Sequence, residues 1–397
     1  MTEKYDIIII GAGLVGLATA YQAKLKSPAL KIAILEKEAV VAVHQSGNNS
    51  GVIHSGIYYK PGSLKAKNCI EGYTSIVSFA QKHSIAYDLC GKIIVATSKE
   101  ELPLLDNIYK RGVENGLQNL KYLTKEEFGE IEPHCVGLRA IRVPQTGIID
   151  YLAIAKKLQQ LFEELGGQVL FNQKVVSLKK NSQSCVIFTD KKEFLTGKVI
   201  SCAGLYSDKI TEMTEEKNDV RIIPFRGEYY ELKLERQHLV KHLIYPVPDP
   251  SFPFLGVHFT RMIHGGIEAG PNAVLAFGKE SYKFFDINIG ELAQALSWPG
   301  FHKIVSKYGK TGMGEMYRSL SKTAFTKALQ KLIPEIQETD LIPGGAGIRA
   351  QACSRDGILL DDFDIVRSGN VIHVRNAPSP AATSCLSIGN TISDLVL

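Results

Sequence analysis

The sequence predicts an α/β fold: a Rossmann-type nucleotide-binding unit joined to a second unit built on an antiparallel sheet with helices. Three observations carry that prediction. Residues 5–36 read as strand, helix, strand around Gly11-Ala12-Gly13-Leu14-Val15-Gly16. Between about 221 and 340 the strand–helix–strand alternation is absent. Beyond it the chain returns to strand, strand, a Pro-rich loop and a helix.

In order, residues 5–10 form a continuous apolar strand, and 14–26 a helix with Leu14, Leu17, Ala18, Tyr21 and Leu25 at helical spacing. Residues 31–36 are the second strand. From 39 to 62 the chain is rich in Gly, Ser, Asn and His, a long polar loop of the kind compact domains keep for function. Ser63 is placed to cap a helix running toward Lys82. Residues 100–115 and 124–130 read as helices, the second with a Thr124/Glu127 capping box. Asp150 caps a helix over 151–165, which Gly166-Gly167 stops. Short strands follow near 173–179, 184–189 and 192–196, and another strand ends at Cys202-Ala203-Gly204. In the second unit, strands are expected at 226–233 and near 254–260, a Pro-rich turn at 246–253, and several helices between 290 and 333.

Composition narrows the function classes. With 45% hydrophobic and 22% charged residues, the chain can bury a sizeable core. Its net charge of +5 is spread out, and the Lys179-Lys180 and Lys191-Lys192 pairs read as solvated loop, so no nucleic-acid partner is suggested. The weak positive field suits an anionic substrate and leaves open a peripheral contact with a membrane surface. No apolar run reaches the roughly 18 residues of a membrane-spanning helix. The isoleucines at 7–10 lack the flanks of a signal peptide, so a cytoplasmic location is expected. Seven dispersed cysteines without a CxxC pair fit a reducing compartment and no metal site.

The glycine motif has a physical logic. Gly11 permits the tight turn, Gly13 lets backbone approach a pyrophosphate, and Gly16 lets helix and strand pack closely. The helix N-terminus at Leu14 and Val15 then offers unpaired N–H groups to phosphate. Glu36, at the end of the second strand with Lys37 beside it, can accept hydrogen bonds from ribose hydroxyls and would repel a 2′-phosphate. The motif alone does not separate NAD from FAD. Two further features favour FAD. One is the loop His44-Gln45-Ser46-Gly47-Asn48-Asn49-Ser50-Gly51, whose small polar residues can line the pyrophosphate and flavin. The other is Asn376-Ala377-Pro378-Ser379-Pro380-Ala381-Ala382-Thr383 before a helix, whose N-terminus would stabilise the negative charge of reduced flavin.

Several stretches are more specific still: residues 49–66 with Asn49-Ser50-Gly51-Val52-Ile53-His54, Pro224-Phe225-Arg226-Gly227-Glu228-Tyr229-Tyr230, residues 242–258, residues 270–277, and residues 376–383. With them the chain resembles, over essentially its whole length, the D-amino-acid-oxidase-like family of FAD oxidoreductases, and within it the members acting on L-2-hydroxyglutarate. The resemblance implies a discontinuous FAD-binding domain (1–82, 150–220 and 341–397) and a substrate domain (83–149 and 221–340) capping the flavin. It implies oxidation of L-2-hydroxyglutarate to 2-oxoglutarate, with electrons passing to a quinone or oxygen. It also places Val176 at the adenine and Gly204 near the pyrophosphate. In one departure, Asn48 stands where the family pattern has a histidine before Asn-Ser-Gly, and no covalent flavin link is expected.

Oxidising a 2-hydroxy acid requires a base for the hydroxyl proton and a cation for the carboxylate. Imidazole suits the first task, and His54 and His258 are both candidates. Arg349, in a segment resembling the one that presents a substrate-binding arginine, is the candidate clamp. A dicarboxylate needs a second cation or several donors, for which Arg226, Arg261, Tyr58 and Tyr229 are candidates. A related oxidase of an amino acid or glycerol 3-phosphate, an NAD-dependent dehydrogenase, and a flavin-binding protein without turnover are the alternatives.

Overall fold

A computed structural model describes residues 3–215, 218–249 and 256–397. Its first sheet is built around the strand Glu3–Ile10. In spatial order its parallel strands are Gln168–Leu170, Ile32–Leu35, Glu3–Ile10, Glu193–Ser201 and Val371–Asn376. Ile7 to Ile10 are buried without alternation because both faces of this central strand are covered. On one face the helices Leu14–Lys26, Tyr151–Glu164 and Cys385–Val396 bury Leu17, Ile154, Leu158 and Ile388 with Ile7 and Ile9. On the other, Ile8 and Leu35 meet Leu178, Ile187 and Phe194 of a hairpin formed by Val175–Lys180 and Cys185–Thr189 with the strand that follows.

That following strand corrects the sequence reading, which separated 192–196 from a strand ending at 202–204. Glu193–Ser201 is continuous. Its first half pairs antiparallel with the hairpin and its second half parallel with Val371–Asn376, so one edge serves two partners while the other pairs with Glu3–Ile10.

The second sheet runs Val274–Leu275, Val220–Leu232, Ile267–Gly270, His258–Arg261, Leu243–Pro246, Lys92–Ala96, Arg139–Val143 and Lys121–Leu123, with Leu341–Ser354 pairing along Val220–Leu232. Three features differ from expectation. The strand expected at 226–233 begins at Val220, because its whole length pairs with Leu341–Ser354. Leu243–Pro246 pairs parallel with Lys92–Ala96, so the sheet is mixed. Residues 341–354, grouped by sequence with the cofactor-binding segments, hydrogen-bond into this second sheet. Of the strand expected near 254–260 and the turn expected at 246–253, residues 250–255 lie outside the described residues. A small sheet of Val52–Ile53, Gly147–Ile149 and Tyr87–Asp88 holds the flavin-side segment.

Helix boundaries follow their caps. The Ser63 hydroxyl accepts from the Ala66 N–H at 3.1 Å, Asp150 accepts from Ala153 N–H at 2.8 Å, and Thr124 and Glu127 form the reciprocal box. Among the described residues, no helix is long and apolar enough to cross a membrane.

Candidate active site

One long cavity of about 1060 Å³ runs from the end of the first sheet to the face of the second. Its first stretch is lined by Gly11, Gly13, Leu14, Val15, Gly16 and Glu36. Gly11 has φ +102°, a left-handed conformation that favours glycine. A Cβ on Gly16 would lie 2.0 Å from the Gly11 carbonyl oxygen, so only glycine allows this packing. The helix starting at Leu14 has no side-chain cap from Gly13. Instead the Ser46 hydroxyl of the long loop accepts from the Leu14 N–H at 3.0 Å. The turn is thus held open toward the cavity, with backbone donors and the positive end of the helix dipole facing it.

Glu36 takes the Ala12 N–H at 2.7 Å and the Glu38 N–H at 2.9 Å. Each carboxylate oxygen keeps a further lone-pair site, so the group can fix the turn and still receive ribose hydroxyls. Lys37 lines the same end but is committed to Glu38 and Glu280. Glu38, His44 and Glu280 bring three ligand atoms within 4.8 Å of one another. The Lys37 ammonium already pairs with both carboxylates of that cluster.

Val176, beside Lys174 and Asp190, also lines the cavity, as do Gly204, Gln45, Ser46, Asn49 and Ser50. Gly51 and Thr383 do not line the cavity but shape it. Gly51 has φ +66°, and its N–H reaches Asn49 Oδ1 at 2.9 Å. Thr383 Oγ1 accepts the His54 N–H at 3.1 Å and bonds the Tyr151 hydroxyl at 2.8 Å. The turn carrying Ser379, Pro380, Ala381 and Ala382 is thereby tied to the segment carrying His54, and both face the cavity.

The residues present fit FAD. A dinucleotide needs an extended cleft with a phosphate cradle partway along it, and the glycine turn, the helix start at Leu14 and Glu36 supply that cradle. Beyond it the cavity continues between Pro380–Ala382 and Arg349. Truncating Glu36→Ala should raise the FAD dissociation constant by about 10–100-fold, as lost hydrogen bonds to a charged group do. Titration of apoprotein with FAD, followed by flavin fluorescence, checks this.

At the far end His54, His258, Arg349, Tyr58, Tyr229 and Arg226 all line the cavity. Arg349 is carried by Leu341–Ser354, opposite Phe225 of Val220–Leu232. Two positions away, Gly347 lets the polar loop press on this strand, since a Cβ there would sit 2.6 Å from the Asn48 carbonyl oxygen. Gln45 Oε1 also accepts the Ala350 N–H at 3.0 Å. The nucleotide-side loop therefore sets where Arg349 stands. Enclosure by protein presses the Arg349 pKa below that of a free guanidinium.

Both histidines are neutral. Burial, reinforced by Lys92, His258, Lys65 and Arg349, pushes His54 down to about 3. Burial pushes His258 down to about 4, with Lys92 and Arg349 adding to it and the Gly256 carbonyl opposing. His258 Nδ1 lies 3.0 Å from that carbonyl, which accepts Nδ1–H and leaves Nε2 as an acceptor.

Two proposed carboxylate partners are occupied elsewhere. Arg226 is 0% exposed and is held by Glu228 at 2.9 Å and the Lys283 carbonyl at 3.1 Å. Arg261 does not line the cavity and is paired with Asp88. Their neighbouring acids, distant in sequence for Arg261, were the missing information. Sequence reasoning also passed over Tyr59, Lys65 and Tyr245, which line the cavity, and Lys92, which lies behind it. Lys92 leaves one signal: a lysine opening the apolar strand Lys92-Ile93-Ile94-Val95-Ala96.

Comparison with known proteins agrees with this geometry. The chain is 59% identical to an L-2-hydroxyglutarate dehydrogenase of Indibacter alkaliphilus, across 99% of each chain. It is 47% identical to the mitochondrial L-2-hydroxyglutarate dehydrogenase of Homo sapiens, over 100% of this chain and 89% of that one. In fold it matches a dithionite-reduced L-alpha-glycerophosphate oxidase from Mycoplasma pneumoniae with FAD bound. The TM-score is 0.80 and the identity 23%, over 100% of this chain and 95% of that one. The family described as FAD dependent oxidoreductase matches residues 6–395, which include both the glycine cradle and the cluster around Arg349, and the chain belongs to that family.

Proposed function

We propose that the protein oxidises L-2-hydroxyglutarate to 2-oxoglutarate. The observation that carries this reading is the single cavity joining the phosphate cradle to a guanidinium and two neutral imidazoles. Its strong identity to relatives named for that activity supports the substrate.

Arg349 holds the carboxylate next to the reacting carbon through paired N–H donors. That anchor fixes the face of Cα presented to the Pro380–Ala382 side. The hydroxyl proton passes to the histidine pair. His54 feels the charge of His258, so protonation of one opposes protonation of the other. Tyr58 and Tyr229 supply hydroxyl donors to the rest of the substrate and, with Tyr245, wall it from water. Bound FAD supplies the acceptor for the Cα hydride, and the electrons leave to a quinone or oxygen.

In this proposal the FAD-binding unit comprises residues 1–82, 150–220 and the segment after the strand ending at Ser354. The substrate unit comprises 83–149, 221–340 and that strand.

Anaerobic titration of the purified flavoprotein tests the function. L-2-hydroxyglutarate should bleach the flavin and the D-enantiomer should not. Bleaching only by glycerol 3-phosphate or an amino acid would refute the substrate. Turnover with a soluble quinone analogue, compared with oxygen consumption, identifies the acceptor.

A further inference from the structure

Lys92 is a buried cation to which the mechanism above gives no task. Its residue is 2% exposed, at the start of a strand buried along its whole length. Its Nζ lies 4.3 Å from the centroid of Tyr58 and 4.8 Å from that of Tyr245, and both rings line the cavity. Among the described residues no carboxylate pairs with it. The Tyr58 hydroxyl is likewise buried and has no hydrogen-bond partner among them.

An ammonium and a phenol placed together without an acceptor are poorly satisfied, and buried charges are ordinarily paired. The faces of two tyrosines offset part of that cost. The groups around Lys92 do not supply an anion. The Cys69 thiol, on the helix Leu64–Lys82, is pushed up to about 12 by burial. His54 and His258 are neutral, and the remaining charges near them, Lys65 and Arg349, are cations. Two acids stand nearby and neither pairs with Lys92: Asp361 is bound to Lys65, and burial raises Glu268, whose charge reaches Tyr229 and Tyr245, to about 7. Arg349 accounts for one carboxylate of a five-carbon dicarboxylate, and the second has tyrosine hydroxyls but no assigned cation.

Resting on the substrate reading above, we propose that Lys92 is a specificity-determining residue. Together with the Tyr58 hydroxyl it recognises the second carboxylate, and it takes up a proton as the dianion binds. Burial without a counter-ion lowers the free ammonium to about 7. At pH 8 Lys92 is then mostly neutral in the free enzyme, and an arriving carboxylate raises its pKa and draws the proton on. At pH 6 the lysine is already charged, and binding takes up none through this group.

The experiment uses holoenzyme and glutarate as an unreactive dicarboxylate probe. Calorimetry at pH 8 in buffers of different ionisation enthalpy reads proton uptake, and flavin content confirms folding of each variant. Wild type should take up close to one proton per site, Lys92→Met and Lys92→Arg none, by the linkage of charge to binding. Lys92→Arg keeps the charge and should bind glutarate within a few-fold of wild type, whereas Lys92→Met should weaken it about tenfold or more. Tyr58→Phe should keep the proton uptake and lose part of the affinity. In turnover, Lys92→Met should reduce the preference for L-2-hydroxyglutarate over the monocarboxylate L-2-hydroxybutyrate by about tenfold.

Unchanged proton uptake and unchanged preference in Lys92→Met would overturn the proposal, as would a wild type that fails to bind glutarate. If instead L-2-hydroxyglutarate fails to bleach the wild-type flavin, the substrate reading falls. The glutarate measurement still reports on Lys92 by itself.

Discussion

Replacing Arg349 with methionine should lower kcat/KM for L-2-hydroxyglutarate by about 10²–10³-fold while leaving the flavin bound, since removing one partner of an enclosed charge pair costs about 2–5 kcal/mol. The loss should appear in kcat as well as KM. On the proposed mechanism Arg349 orients the reacting carbon, and a bound but misaligned substrate transfers hydride slowly. Lysine at this position should recover only part of the activity. It restores a point charge but not the two parallel N–H donors that fix the carboxylate plane. Steady-state rates for Arg349→Met and Arg349→Lys, with the flavin spectrum of each, give the comparison. A Met variant whose kcat/KM falls less than about tenfold would remove the anchor from the mechanism.

The support around Arg349 also shows why part of this site was legible in the sequence and part was not. The glycine cradle was legible because its chemistry is local: strand, turn and helix are adjacent, and each glycine answers a close approach within the same short segment. Ser63, Thr124 and Asp150 announced their helices for the same reason. The histidines were reached through the chemistry of the reaction and Arg349 through resemblance, not spacing, since they meet only when two sheets come together. Arg226 and Arg261 show the limit of such reading. An arginine in a functional stretch looks available until its acid is known, and Asp88 reaches Arg261 from a remote part of the chain. Lys92 escaped for the opposite reason, because its significance lies in the acid it lacks. One strand pairing was hidden likewise: nothing local in Leu341–Ser354 reveals that it pairs with Val220–Leu232.

His54→Ala and His258→Ala should each lower kcat/KM by about 10²–10⁴-fold, the range for losing a positioned proton acceptor. The double variant should be little worse than the weaker single one. In the proposed mechanism one imidazole takes the proton and the other positions it, so removing either disables the same step. Multiplicative losses would show that the histidines act separately, and the larger single loss identifies the residue that takes the proton. The pH profile supplies an independent check. Activity requires the neutral imidazole, and burial has moved both groups from 6.5 to about 3 and about 4. The acid limb of kcat/KM should therefore lie below pH 5, leaving the rate flat from there to about 6, where the loss of the Lys92 proton begins. The same shifts have a stability consequence with a definite sign. The unfolded chain binds protons at these histidines as pH falls below about 6.5 while the folded chain does not, so folding free energy declines toward pH 4. Recording flavin retention alongside the rates separates the two effects. A limb near 6.5 with the flavin still bound would mean that the base is an ordinary exposed histidine and not this enclosed pair.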